Sequence, residues 1–197
     1  MKILMLSGSP RKNGNTERIL ARIGNQIEKN GHQVELIRLA RLAIRGCQGC
    51  GGCEQSGNCV IDDDMQELYP RIAGADVLVL SSPIYFYGLS GQAKLFIDRC
   101  QALWSRKYLL KQPISSRADR RGYLVCTAAT RGEQLFVGAR LCARYGLDAM
   151  DIRYEGELFF TGVDKQGAID RHPDFPQKAD LLAGQILANG TDRRELS

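Results

Sequence analysis

The sequence predicts a doubly wound α/β fold, a five-stranded parallel sheet between two layers of helices. Three observations predict it. Apolar runs of strand length alternate with helical periodicity along the 197 residues. The run Asp76–Ser82 is continuously apolar at its centre, as a parallel strand covered on both faces requires. The first strand also leads straight into a loop rich in glycine, hydroxyls and amides that opens a helix. In open α/β sheets, ligands bind beyond the carboxyl ends of the strands.

Each element has its own signal. Lys2–Ser7 is the first strand, and Asn15–Asn30 is a helix with Ile19, Ile23 and Ile27 on one stripe and Gly31 as its stop. Gln33–Leu39 is the second strand. Asp62 is placed to cap a helix in which Met65, Leu68 and Ile72 recur at three and four residues. After the third strand, Ala93, Phe96, Ile97, Cys100 and Trp104 mark one helix. Gly122–Thr127 and Ile152–Phe160 are the remaining strands, with a helix over Glu133–Tyr145 between them. Ala179, Leu182, Ala183, Ile186 and Leu187 form the stripe of a last helix. Right-handed crossovers restrict the strand order to 2-1-3-4-5 or the other doubly wound order. At ~150 residues per domain, 1–197 is expected to be one domain, with a cysteine-rich loop at 46–60.

Composition narrows the function. Hydrophobic content of 44% and charged content of 25% are those of a globular chain, and no run approaches the ~18 apolar residues of a membrane span. The apolar start Ile3–Leu6 is too short for a signal peptide, so the cytoplasm is the expected compartment. In that reducing setting, seven cysteines do not form a disulfide framework, and Cys100, Cys126 and Cys142 read as small buried hydrophobes. The net charge of +5 is concentrated between Ser105 and Arg121, where six basic residues stand with Asp119. A nucleic-acid binder would spread such charge over a face, so no nucleic-acid partner is expected. The segment reads either as a solvated connection or as a docking patch for an acidic carrier protein or a cofactor phosphate.

The loop Ser7–Thr16 has the chemistry of an anion site. Gly8 and Gly14 let the backbone turn closely, Ser9, Asn13, Asn15 and Thr16 supply neutral polar groups, and the helix start adds free N–H groups. Such a loop suits a terminal phosphate monoester. It is neither a Walker A loop, since Gly14 is followed by Asn15 and Thr16, nor a G-x-G-x-x-G turn.

Ser7–Thr16 after strand one, with Ser82–Gly88 after strand three, resembles the NADPH-dependent FMN reductase branch of the flavodoxin-like proteins. The resemblance implies the flavodoxin-like order 2-1-3-4-5 and an FMN whose phosphate is held by Ser9, Arg11, Asn15 and Thr16, with Asn13 in the same loop. It also implies that Pro83, Ile84, Tyr85 and Phe86 border the isoalloxazine, with Tyr87 and Gly88 completing the turn. The loop after strand four, with Ala129, Thr130, Arg131 and Gly132, would close the other side. Independently of the family, an aromatic turn offers faces to a planar ring, and N–H groups near Gly88 can reach flavin carbonyls.

Cys47, Cys50, Cys53 and Cys59 fall within 13 residues as C-x2-C-x2-C-x5-C. Three thiolates at this step can cup a cubane cluster that a fourth completes. A structural zinc site usually pairs two knuckles a dozen or more residues apart. Joined to the FMN loops, the spacing is similar to that of the iron–sulfur flavoproteins, which implies a [4Fe-4S] cluster on these four residues. A zinc site and a cluster-free thiol loop remain open. No Ser-His-Asp set calls for hydrolysis, the pattern around His32 and His172 gives neither a catalytic role, and the run Asp62–Asp64 reads as a cap rather than a metal site.

The expectation is an FMN-dependent oxidoreductase that links FMN to the cluster and needs no catalytic side chain. Its donor would be NAD(P)H or a ferredoxin-like protein. The alternatives are an FMN-only NAD(P)H-dependent reductase of quinones or flavins, and a zinc-stapled binding module. The resemblance also implies a homodimer or homotetramer. Because strand two is an outer strand, electrons are expected to cross a subunit interface, with Val60, Tyr87 and Leu89 as contact candidates.

Overall fold

In the computed structural model, which describes residues 1–188, strands and helices alternate as predicted. The strands are β1 (Lys2–Ser7), β2 (Gln33–Arg38), β3 (Val77–Tyr85), β4 (Gly88–Leu89), β5 (Arg121–Thr127) and β6 (Arg153–Phe160). The helices are α1 (Asn15–Lys29), the single turn α2 (Cys53–Ser56), α3 (Met65–Gly74), α4 (Gly91–Arg99), α5 (Gln101–Trp104), α6 (Val137–Ala149) and α7 (Phe175–Ala188). Five strands run parallel in the order β2-β1-β3-β5-β6, and β4 pairs antiparallel with the end of β3. Apart from that hairpin, this is the predicted 2-1-3-4-5 order.

Strand alternation builds the three layers, because successive residues face opposite sides of a sheet. Leu4, Leu6, Leu78, Leu80 and Leu124 meet Leu68 of α3, Phe96 of α4 and Leu147 of α6. Ile3, Met5, Val77, Val79 and Val125 meet Ile23 of α1 and Leu182 of α7. At about 1.5–3 kcal/mol for each fully buried aliphatic side chain, this two-sided burial is the main stabilising contribution. No helix among the described residues is long and apolar enough to cross a membrane.

Four boundaries differ from the sequence reading, each for a local reason. β3 continues to Tyr85 because it folds back on β4, with Ile84 opposite Leu89 and Tyr85 opposite Gly88. The helix expected to run to Trp104 is broken at Cys100, and a π-helical turn follows over Ser105–Leu109, where Leu110 N–H reaches Ser105 O at 3.0 Å. Such turns recur at functional sites. α6 starts at Val137 rather than Glu133. Its Gly138 abuts the hairpin so closely that a Cβ there would stand 2.7 Å from Tyr87 O. Asp62 does not cap α3. Asp63 accepts from Met65 N at 3.1 Å and Arg45 N at 2.9 Å, and Asp64 accepts from Ala43 N at 2.7 Å.

The hairpin breaks a local rule. A two-residue hairpin turn of type I′ needs positive φ at both positions, which is why Asn-Gly is favoured there. Here Phe86 and Tyr87 occupy it, with φ of 49° and 62°. Strained residues of this kind cost about 1–3 kcal/mol each, and Phe86, 104% exposed, gains no burial in return. Replacing the pair by Asn-Gly (F86N/Y87G) is expected to stabilise the flavin-free chain by roughly 1 kcal/mol or more, seen as a higher urea midpoint at unchanged slope. A lower midpoint would mean that the two rings help pack the fold.

Most of the basic segment is tied to the chain itself. Lys107 pairs with Asp148 and Asp151, and Arg117 with Asp76. Arg120 is buried and caps two helices at once, donating to Ile72 O, to Ala75 O at 3.1 Å and to Met150 O at 2.7 Å. Arg121, also buried, donates to Ile186 O at 3.3 Å. Most of this charge is spent inside the chain.

Candidate functional site

The carboxyl ends of β1 and β3 meet at Gly8. Its N–H donates to Ser81 O at 2.7 Å, and its carbonyl accepts from Ser90 Oγ at 2.5 Å. A Cβ on Gly8 would stand 2.7 Å from Ala93 Cβ and 2.9 Å from Ser81 O, so this approach requires glycine. Ser90 also caps α4 by accepting from Ala93 N at 3.3 Å, while Ser82 Oγ accepts from Ser90 N at 2.9 Å. The two serines tie the hairpin to the phosphate-type loop. Sequence reasoning missed both, although Ser90 before a helix was a readable cap.

At the start of α1, Gly14 offers no side-chain acceptor, so the first-turn N–H groups stay available to an anion. Thr16 is buried, and its Oγ1 has no partner. An unmet buried hydroxyl costs about 1–3 kcal/mol, which a bound phosphate oxygen would recover. Ser9 Oγ accepts from Arg11 N at 3.2 Å and so braces the turn. Buried Glu17, also missed, accepts from Asn13 N at 3.0 Å and pairs with Arg38, fixing the loop from behind.

One cavity of about 140 Å³ gathers Ser9, Arg11, Asn15, Thr16, Pro83, Ile84, Tyr85 and Ala129. Asn13, Phe86, Tyr87, Gly88, Thr130, Arg131 and Gly132 stand outside its lining. Whole-ligand pockets usually span ~300–1,000 Å³. The enclosed part therefore suits the phosphate end of a mononucleotide and leaves a planar ring to the open hairpin side. Val163, Asp164 and Gln166 complete the cavity from the loop after β6, which sequence reasoning did not assign. Asn15 holds that loop through Lys165 O at 2.9 Å and Ile169 N at 3.3 Å, and Gln166 donates to Lys12 O at 3.0 Å. The only hint in the sequence was turn-forming Gly162 and Gly167, both at positive φ.

The cysteine loop folds back from β2 over α4, α5 and the π-helical turn. Gly49, Gly51 and Gly57 take φ of 62°, 72° and 70°, which lets the chain double back between cysteines. Cys47 and Cys50 are exposed, and Cys53 and Cys59 half-buried. All four line one cavity of about 410 Å³. Among the described residues, no three His, Cys, Asp or Glu side chains are grouped closely enough to hold a metal ion.

The loop is fastened from several sides. Gln66 Nε2 donates to Cys59 O at 2.9 Å and Ile61 O at 2.7 Å. Cys53 Sγ lies 3.4 Å from buried Ser105 Oγ, and Arg106 donates to Gly57 O at 3.2 Å and Asn58 Oδ1 at 2.6 Å. Asp63, from the aspartate run, pairs with buried Arg99 at 2.6 Å. Burial pushes the Asp63 carboxyl up, but hydrogen bonds from Arg99 and from the N–H groups of Arg45 and Met65 outweigh it and hold the group below the usual carboxylate range. The other cysteines lie elsewhere. Burial raises the thiols of Cys100 and Cys126, and Cys142 is half-buried on α6.

Comparison with known proteins agrees with this geometry. The family model described as NADPH-dependent FMN reductase matches residues 1–141. An iron-sulfur flavoprotein of Methanocaldococcus jannaschii is 40% identical over 103 residues, covering 52% of this chain and 53% of that one. An iron-sulfur flavoprotein of Methanosarcina thermophila is 32% identical over 116 residues, covering 59% and 61%. The matched region thus spans about half the length of these curated relatives. Among solved structures, the NAD(P)H:quinone oxidoreductase of Methanothermobacter marburgensis superposes with a TM-score of 0.64 at 18% identity, over 94% of this chain and 92% of that one. A flavodoxin from the domain Archaea gives 0.56 at 15% identity, over 96% and 98%. At such identities the structural likeness speaks for the flavodoxin-like fold alone. The family match covers well over half of the sequence, and the chain belongs to the NADPH-dependent FMN reductase family.

Proposed function

We propose that this chain is an FMN-dependent oxidoreductase that also carries a [4Fe-4S] cluster on Cys47, Cys50, Cys53 and Cys59. The observation that carries the reading is the gathering of these four thiols around one cavity, in a chain that also builds a phosphate-type cradle beside an aromatic hairpin. The names of the iron-sulfur flavoproteins it resembles support it. When bound, FMN exchanges a hydride or single electrons and the cluster single electrons, which would let NAD(P)H or a ferredoxin-like protein serve as donor.

The chain's own groups do the holding. Ser9, Thr16 and the first N–H groups of α1 bind the phosphate, Pro83, Ile84 and Tyr85 border the ring, and the cysteines bind iron. α4 joins the two sites. Ser90 at its start is bonded to Gly8, and Arg99 at its end lines the cysteine cavity, about 14 Å further along the axis at 1.5 Å per residue. A homodimer or homotetramer belongs to the proposal, because Val60, Phe86 and Tyr87 stay exposed in the single chain. Electron transfer between protomers belongs to it as well.

Metal and flavin analysis of anaerobically purified protein tests the reading. About one FMN with about four iron and four sulfide per chain is expected. FMN without iron would instead identify an FMN-only reductase of quinones or flavins, and zinc a stapled binding module.

A further inference from the structure

Arg99 ends α4 with a side chain that is wholly buried. An arginine has five N–H donors, and four of these are accounted for. Nη1 donates to Arg45 O at 2.9 Å and Asp63 Oδ2 at 2.6 Å, and Nη2 to Ile61 O at 3.3 Å and Asp63 Oδ1 at 3.1 Å. The fifth donor, Nε–H, has no acceptor. Arg45 and Ile61 bracket the cysteine loop, so the guanidinium ties both ends of that loop to α4. A clamp alone would not need a cation, and burying one is costly unless all its donors are met.

The charge has a direction. Arg99 lines the cysteine cavity, whereas Asp63 is not part of its lining. The other charged residues there are Glu54, which is exposed, and Asp98, which Lys94 holds at 2.6 Å.

Resting on the cluster reading above, we infer that Arg99 is a positioning residue that sets the electrostatics of the cysteine cavity. Its positive charge, fixed in the wall of the cavity, favours the reduced form of the bound cluster. Reduction adds one electron from an external reductant and one unit of negative charge, with no bond made or broken and no proton moved. A fixed cation in a low-dielectric wall stabilises the more negative state.

Redox titration of the FMN-loaded holoprotein, followed by the paramagnetic signal of the reduced cluster, tests the inference. Arg99→Gln is expected to lower the reduced-to-oxidised ratio at fixed potential about tenfold, a midpoint lower by about 59 mV for one electron. Arg99→Lys keeps the charge and recovers most of that loss, while Asp63→Asn removes the opposing charge and moves the midpoint upward. Opposite shifts are the electrostatic signature, whereas mere loosening of the loop would move both variants the same way and overturn the inference. Should Arg99→Gln fail to fold, the double variant Asp63→Asn/Arg99→Gln removes the whole pair, and its comparison with Asp63→Asn isolates the cation. An unchanged midpoint at full iron content sinks the role of Arg99 and leaves the cluster reading intact. A wild-type chain that takes up no iron overturns both.

Discussion

Alanine at Cys47, Cys50, Cys53 or Cys59 is expected to remove the brown iron–sulfur absorbance, while alanine at Cys100, Cys126 or Cys142 spares it. Each member of the first group supplies one wall of the same cavity, and a four-ligand cluster has no spare thiolate. Cys100 and Cys126 sit in the core, where burial keeps them protonated and poor ligands. Cys142 lies on α6 in a separate groove with Tyr145 and Trp104. Visible absorbance, iron and acid-labile sulfide of the seven anaerobically purified variants check this. FMN should stay near one per chain in all of them, because the phosphate cradle shares no residue with the loop. Loss of the cluster in Cys142→Ala with retention in Cys59→Ala would show the ligand set to be wrong.

Thr16→Val should cut FMN affinity sharply without harming the flavin-free fold. The Thr16 hydroxyl is buried and unpartnered, so an isosteric methyl removes no existing hydrogen bond. In the complex the same hydroxyl would donate to a charged phosphate oxygen, worth about 1.5–3 kcal/mol, or roughly 10–150-fold in Kd. Ser9→Ala should weaken binding as well, with some loss of stability, since Ser9 Oγ also braces Arg11 N. Flavin fluorescence titration gives the affinity, and urea unfolding of the apo chain gives the stability. Equal affinity in the Ser9/Thr16 double variant would place the phosphate elsewhere.

The layers were legible in the sequence because apolar periodicity is a local signal, and the strand order followed from the family resemblance that the two loops carry. Leu4 and Leu6 against Ile3 and Met5 announce a two-faced strand before any contact is known. The hairpin was not legible, since Phe86 and Tyr87 are poor residues for the turn they make. Nor was the break at Cys100, where apolar spacing continues unchanged through the π-helical turn. Arg99 carried no signal of its own in the sequence, because its place depends on Asp63 and two loop carbonyls that only the folded chain brings to it. The basic segment misled for the same reason: charge can be counted in a sequence, but its partners cannot.

The π-helical turn bears on which changes of chain length this protein can accept. Each residue of an α-helix turns the chain by about 100°. The wider turn at Ser105–Leu109 holds one residue more than a regular helix would, and it lets Ser105 reach Cys53 and Arg106 reach Gly57 and Asn58. Removing the extra residue would close the wide turn to a regular one and leave the faces on either side in place, so the change would fall on the turn itself, where Ser105 and Arg106 hold the loop. The loop at 46–60 and the turn at 105–109 are joined by contact. A substitution or deletion in the turn therefore acts on the cysteine loop through these contacts while the helix on either side keeps its register.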